Sequence, residues 1–489
     1  MKDQLVKLFF GKQEIHNKGA IDLYRMVFGL SGLIFSINTL DQFYLLFECF
    51  SRMDVIYYQL VVLSWIAGSL ILVFFAPSRL FLIFYYLVVY IVFSSHQGVL
   101  NVEGKYMILG SFLNVFLPLG RGSALDKKDY KLILILLVVM TAYLFLGGFI
   151  TKSRDHTWAS GVGLYYVMIL PWIKYPFLDL LLHSPLTMKA MNYYVLFVEL
   201  FAFIFSVFAR TRALGIILSW CFCLFLFLLL QISTIGLTSF AFALLFLSIF
   251  PFRLGFLQNR LGPDLNSLLA KIPLSAPVLN LNGKINFQLN RLRFFMVLGL
   301  YSWFFILFFR GLDNAFFGDK LRRFWWRTEK LNSKTYCLFY DHLFTSMHFA
   351  DVIEYRVKIK LKSGEMIEPV KVFNEDKTGG PYSGWPFNAR WLQAEMYRFN
   401  DFIIYPILEK ENKLPNQFKR MFRFLESKVD YRSIDSFHFY TARLKMPDHY
   451  DPLGCEFAAS DPWTKVLIYN PVEKTAFLPV INKKIKLTQ

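Results

Sequence analysis

Long apolar runs recur through the first two thirds of this chain, and nothing else constrains its fold as tightly. They cover residues 23–40, 58–76, 80–93, 106–119, 132–150, 193–209, 213–230, 235–250 and 294–309. A helix needs about 20 apolar residues to cross hydrocarbon, and several runs are shorter, so the pattern predicts about nine spans. The chain is 55% hydrophobic and 19% aromatic with a mean hydropathy of +0.41, which excludes an ordinary soluble enzyme of this length. The expected fold class is a polytopic α-helical membrane domain of about nine spans followed by a C-terminal α+β extramembrane domain.

The formal net charge of +18 invites a nucleic-acid reading, but its placement excludes one. Lys2, Lys7, Lys12 and Lys18 precede the first run. Arg79, Arg121, Lys127, Lys128, Arg210, Arg212, Arg253, Arg260, Lys271 and Lys284 fall in alternate loops. Nine spans put all of these on one side, as the positive-inside bias requires. The N-terminus is then inside and the C-terminal domain outside, and nucleic acid is not a partner. The N-terminus is polar and basic and its first apolar run is long enough to stay as a span, so no cleaved leader is expected. The expected outside segments lack any Asn-x-Ser/Thr acceptor, which fits a bacterial inner membrane.

Four parts are expected. Residues 1–252 carry eight spans, residues 253–292 form an inside connection rich in proline, 293–310 hold the last span, and 311–489 form the outside domain. Between Trp158 and Pro185 the chain is aromatic and broken by Pro171 and Pro176. Short interfacial helices are expected there, roofing a lipid-accessible cavity. In the outside domain, residues 355–361 alternate apolar and charged side chains, and Lys362-Ser-Gly-Glu365 turns the chain into 366–373, a hairpin signal. Residues 388–404 and 414–429 have helical spacing, and 437–446 and 465–480 read as strands.

Chemistry centres on the stretch from Tyr143 to Trp158, where an apolar run delivers Lys152 to the expected membrane boundary beside His156 and Trp158. Partial desolvation of an amine favours its neutral form, the form that acts as a base. The plainer reading is a snorkelling lysine and an interfacial tryptophan that end a span. His96, Asn101, Glu103, Lys152, Asp155, His156 and Gln231 all belong to the expected outer ends of spans. Glu199 lies inside an otherwise apolar run, where a carboxylate is either functional or a tie between helices. His342 and His348, with Asp341 and Asp351, match no zinc-ligand spacing, and no metal site is expected. Cys221-x-Cys223 reads as packing, and Cys49, Cys337 and Cys455 face the oxidising side without defining a pair.

Three segments carry a family resemblance. The first is His96-Gln-Gly-Val-Leu-Asn101-Val-Glu103 and the helix that follows it to Leu117-Pro-Leu-Gly120. The second contains Tyr143, Gly147, Lys152, Trp158 and Gly161, and the third runs from Ile232-Ser-Thr-Ile-Gly236 through Phe250. Together they resemble the HTTM membrane domain shared with vitamin K-dependent γ-glutamyl carboxylases, over roughly residues 15–255. The resemblance implies that Lys152 is the base that deprotonates reduced vitamin K or menaquinol, and that peptide glutamate is carboxylated beside quinol epoxidation. It also implies supporting roles for His156, Glu103, Asn101, His96 and Glu199, with Trp158 walling the cavity. Glu103 stands where the animal enzymes carry a catalytic histidine, and Leu226 lies near the place of another.

Two further readings stay open beside a quinol-dependent lyase. One is a non-catalytic membrane protein whose outside domain binds a peptide or protein partner. The other is a transporter using Glu199 as a proton site, against which the absence of repeats counts. Membrane lipid or quinone is the expected small-molecule partner in the first.

Overall fold

The apolar runs among the described residues fold as helices. The computed structural model describes residues 19–41, 55–75, 77–95, 102–117, 145–169, 184–208, 210–229, 233–245, 353–367, 430–443, 464–479 and 482–486. These residues are mostly helical, with a small antiparallel sheet in the C-terminal region. The first four helices are α1 (Gly19–Asp41), α2 (Val55–Phe74), α3 (Arg79–Ser95) and α4 (Val102–Phe116). Three short ones follow: α5 (Gly147–Arg154), α6 (His156–Ala159) and α7 (Gly163–Ile169). The last three are α8 (Pro185–Val207), α9 (Arg212–Leu229) and α10 (Ser233–Leu244).

Punctuation between the runs is local. Pro77 cannot continue α2, and the Ser78 hydroxyl accepts from Phe81 N–H at 3.2 Å to cap α3. Ser184 caps α8 ahead of Pro185 in its first turn, so this helix starts eight residues before the apolar run from which it was read.

Helix α1 packs against α2, α4 and α10, and α9 joins α10 to α8. One core gathers Tyr24, Phe28, Phe35, Trp65, Tyr85 and Phe242, and a second gathers Phe145, Trp158, Tyr165, Val198 and Phe222. On α2, Tyr58, Val62, Trp65 and Leu72 are buried at helical spacing, yet Ile56, Tyr57, Leu60 and Leu63 on the outer side are at least half exposed. The outer side of α8 likewise carries Leu186, Tyr193, Tyr194 and Phe197. Meanwhile Ser31, Ser69, Asn114, Asn192, Glu199 and Thr238 are buried. Large apolar side chains therefore lie on the outer sides of these helices as well as in the cores. Ile56–Phe74 and Pro185–Val207 are long and apolar enough to cross a bilayer, while Arg79–Phe93, Tyr106–Phe116 and Arg212–Leu226 are shorter apolar helices.

Basic residues cap helices, among them Arg79 and Arg212, which were read from the sequence as topology markers. Arg25 donates to the Leu117 carbonyl at 3.4 Å, and Arg79 donates to that of Val115. The beginnings of α1 and α3 therefore meet the end of α4. Arg212 donates to the Ser206 carbonyl at 3.1 Å, closing the end of α8.

Strands β1 (Ile353–Leu361), β2 (Met366–Ile367), β3 (Ile434–Arg443), β4 (Thr464–Asn470), β5 (Thr475–Leu478) and β6 (Lys483–Lys486) form one sheet in the order β2-β1-β3-β4-β5-β6. Every pairing is antiparallel. The expected hairpin is present, turned at Gly364 with φ of +88°, a backbone conformation that favours glycine. The stretch 465–480, read as strand, is a hairpin of β4 and β5, and β6 had no sequence signal. Ile359, Phe437, Phe439, Leu467, Ala476 and Leu478 are buried on one face.

The segment after Trp158 was expected along an interface. It does break into short helices, but Leu164–Met168 of α7 are buried in the second core. The expected spans 132–150 (up to residue 144) and 294–309, the connection 253–292 and the helices 388–404 and 414–429 lie outside the described residues.

Candidate functional site

Lys152 sits in the last turn of α5, and its side chain is turned away from solvent. Its ammonium nitrogen donates to Oε1 of Glu199 on α8, the two side chains being 10% and 2% exposed. Glu199 comes fourteen residues after Pro185 and eight before Val207. At 1.5 Å per residue it lies about 12 Å inside the nearer end of the helix. Lys152 therefore meets a carboxylate within the body of α8.

Local sequence explains the approach. Gly148 is one turn before Lys152, and a Cβ there would stand 3.0 Å from Glu199 Oε1. Any other residue would press its Cβ on the carboxylate, which would have to give by a few tenths of an ångström, so glycine eases the approach of α5 to α8 here. Beyond α5 the chain reverses at Asp155, whose N–H donates to the Lys152 carbonyl at 3.0 Å. The Asp155 carboxylate accepts from Thr157 N–H at 3.0 Å and starts α6. This reversal brings the Trp158 ring over Lys152, with Nζ 5.0 Å from its centroid.

Helix α8 holds that tryptophan as well as the lysine. Asn192 donates to the Trp158 carbonyl at 2.9 Å and accepts from Leu164 N–H at 3.0 Å, and it is fully buried. The Tyr193 hydroxyl donates to the Ala159 carbonyl at 3.0 Å. Gly163 makes room for the indole, since a Cβ there would lie 2.5 Å from it. Asn192, Tyr193 and Glu199 thus fasten one strap, residues 147–164, along a single helix.

The electrostatics of the pair are those of two charges in an apolar shell. Taking both from water is costly, and the mutual contact offsets that cost only while both partners are present. Glu199 Oε2 is buried and has no hydrogen-bond partner among the described residues. The arrangement is therefore able to hold, accept or pass one proton.

Of the residues singled out from sequence, the structure joins Lys152, Glu199 and Trp158. His156 opens α6 and is exposed, and Glu103 lies in the first turn of α4. His96, Asn101, Gln231, His342 and His348 lie outside the described residues, as do Cys49, Cys337 and Cys455. Cys221 is exposed and Cys223 buried, both as free thiols. No cluster of three or more potential metal ligands occurs among the described residues. The sequence reading missed the Lys152–Glu199 pairing and the part played by Asn192, whose signal was a polar amide at the edge of an apolar run. Comparisons with protein-family models, curated proteins and solved structures find no match to this chain.

Proposed function

We propose that this chain is a multi-pass integral membrane protein of about nine spans, N-terminus inside and C-terminal domain outside, that acts on a reduced quinone with Lys152 as base. In this reading it is vitamin K-dependent γ-carboxylase-like. The observation that carries the proposal is the buried Lys152–Glu199 pair under Trp158. Membrane residence is supported by the apolar outer sides of α2 and α8 and by the polar groups inside. The meeting of the ends of α1, α3 and α4 is what alternating spans require.

The site residues fit a quinol. The orphaned Oε2 of Glu199 suits a hydroxyl donor, and the Trp158 ring suits a flat apolar neighbour. A bound quinol supplies a weakly acidic hydroxyl and the electrons that oxygen consumes in forming an epoxide. With the shared proton on Glu199 Oε1, the carboxyl accepts the hydroxyl proton at Oε2 as Lys152 Nζ takes the shared one, so the amine is the net base. Glu199 then restrains the resulting ammonium, while Trp158 and Asn192 keep water from it.

The test uses purified protein in nanodiscs with reduced vitamin K or menaquinol, oxygen and bicarbonate. Epoxide, with or without carboxylated peptide, is expected from the wild type and not from an inserted, folded Lys152→Ala variant. Absence of epoxide from the wild type with both quinols would sink the reading.

The ion pair itself favours a second reading, since a tie between α5 and α8 accounts for Lys152 without chemistry. The chain is then a non-catalytic membrane protein whose outside domain binds a peptide or protein partner. Lys152→Ala lowers stability under either reading; in this one the wild type turns over no quinol, and partner binding depends on residues of the sheet.

A further inference from the structure

The sheet carries a second cluster, on the face opposite its buried aliphatic side. Register sets Lys358 beside His438 and Lys360 beside Ser436 across β1 and β3. Across β3 and β4 it sets Lys465 beside Tyr440. The Lys358 and Lys465 ammonium groups stand 5.7 Å and 5.4 Å from the centroid of the same Tyr440 ring. Cations from both flanking strands therefore each approach the same aromatic ring. Lys360 adds a third at the edge, 3.4 Å from Asp435, where both side chains are about two-fifths exposed.

Between these lysines lies His438, only 8% exposed. Its Nε2 is 2.9 Å from the Ser436 hydroxyl, and its Nδ1 has no hydrogen-bond partner among the described residues. A lysine-rich strand face is ordinarily just solvated. Solvation does not account for a buried imidazole with an unmatched nitrogen, because such groups are nearly always satisfied. The Ser436 hydroxyl lies between Asp435 Oδ2, at 3.1 Å, and His438, so either imidazole nitrogen can carry the proton.

We propose that Lys358, Lys465 and His438 form a binding site for a phosphate-class oxyanion. The two ammonium groups over Tyr440 supply its charge neutralisation, and the unmatched nitrogen of His438 supplies a directed N–H donor. A soluble phosphate and the phosphate of a lipid headgroup present the same chemistry. This site is independent of the quinol reading.

Protonation is linked to occupancy. Burial, with the charges of Lys465 and Lys360, holds the imidazole down at about 4, and Asp435 opposes them. The groups facing it are Lys358 and Lys360 from β1, Lys465 from β4, and Asp435 and Tyr440 on β3. A bound anion cancels much of the lysine field and favours the imidazolium, so binding takes up a proton and tightens as pH falls.

Amine acetylation of the full-length protein in phosphatidylcholine nanodiscs, followed by mass spectrometry, reads the site directly. Inorganic phosphate and sulfate are titrated at constant ionic strength, sulfate because its charge does not change between pH 5.5 and 7.5. Protection of Lys358 and Lys465 is expected, with sulfate binding roughly tenfold tighter at pH 5.5 if occupancy restores an ordinary histidine. His438→Gln removes that pH dependence, Lys465→Gln weakens protection of Lys358, and Lys484→Gln on exposed β6 leaves it unchanged. Phosphatidylglycerol discs without added anion distinguish the sources: protection there identifies a headgroup, and protection only by soluble anion identifies a free phosphate. No protection in any arm, or equal protection by chloride, overturns the proposal. Protection of Lys358 that persists in Lys465→Gln with His438 also replaced overturns it too.

Discussion

Breaking the Lys152–Glu199 pair from one side should damage the protein more than removing it altogether. The side chains are 10% and 2% exposed, so neither survivor regains water when its partner is lost. Loss of one member of a buried pair typically costs about 3–5 kcal/mol, whereas apolar replacement of both is near neutral or stabilising. Lys152→Met should cost about that much by stranding Glu199, plus about 0.5–2 kcal/mol for the lost contact with Trp158. Glu199→Leu should cost a similar 3–5 kcal/mol by stranding the ammonium. The double variant Lys152→Met/Glu199→Leu should lie within about 1–2 kcal/mol of the wild type, a coupling of about 3 kcal/mol or more. Unfolding by sodium dodecyl sulfate in mixed micelles, followed by circular dichroism, measures all four corners of the cycle. Single variants within about 1 kcal/mol of wild type that add in the double would refute the buried, coupled geometry.

Three further outcomes follow from the same structure. Asn192→Leu removes one hydrogen bond to the Trp158 carbonyl, which keeps the one from Gly161 N–H, and takes from the Leu164 N–H its side-chain acceptor; a loss of about 1–3 kcal/mol is expected in the same assay, with increased oxidative footprinting of Trp158. Gly163→Ala places a methyl 2.5 Å from the Trp158 indole and should displace the ring, raising solvent access to Lys152 as read by amine acetylation. In the sheet, the His438 imidazole is held at about 4 against an ordinary value of 6.5, so the unfolded chain binds the proton more readily. Its contribution is complete above about pH 6.5 and is lost as pH falls toward 4, at most about 3 kcal/mol; hydrogen exchange of β3 should accelerate over that window, less so in His438→Gln.

The helices were legible in the sequence because their apolar runs are long and uninterrupted. Gly19–Asp41, Val55–Phe74, Arg79–Ser95 and Arg212–Leu229 coincide with the runs within a few residues. The start of α8 was missed because hydropathy fades before Tyr193, although Ser184-Pro185 is itself a helix-start signal. The first hairpin was legible from alternation and its glycine turn, while β6 is four residues long and mostly lysine, too short and polar to register. Lys152, Trp158 and Glu199 could each be noticed as unusual, one by its place beside an apolar run and one by its charge within such a run. Their union could not be read, because it depends on Gly148 admitting α8 and on the reversal at Asp155, both of which are three-dimensional. Position near Lys152 in sequence was a poor guide in the other direction: His156 is four residues away and exposed.

The most direct test of whether Lys152 is a base rather than a buried cation is quinol epoxidation by Lys152→Arg beside the wild type in nanodiscs. A guanidinium keeps a positive charge against Glu199 but does not give up its proton. The account predicts an inserted protein of near-native stability that forms no epoxide, while the wild type does. Epoxide formation at the wild-type rate by the arginine variant would contradict it and leave Lys152 as a tie between helices.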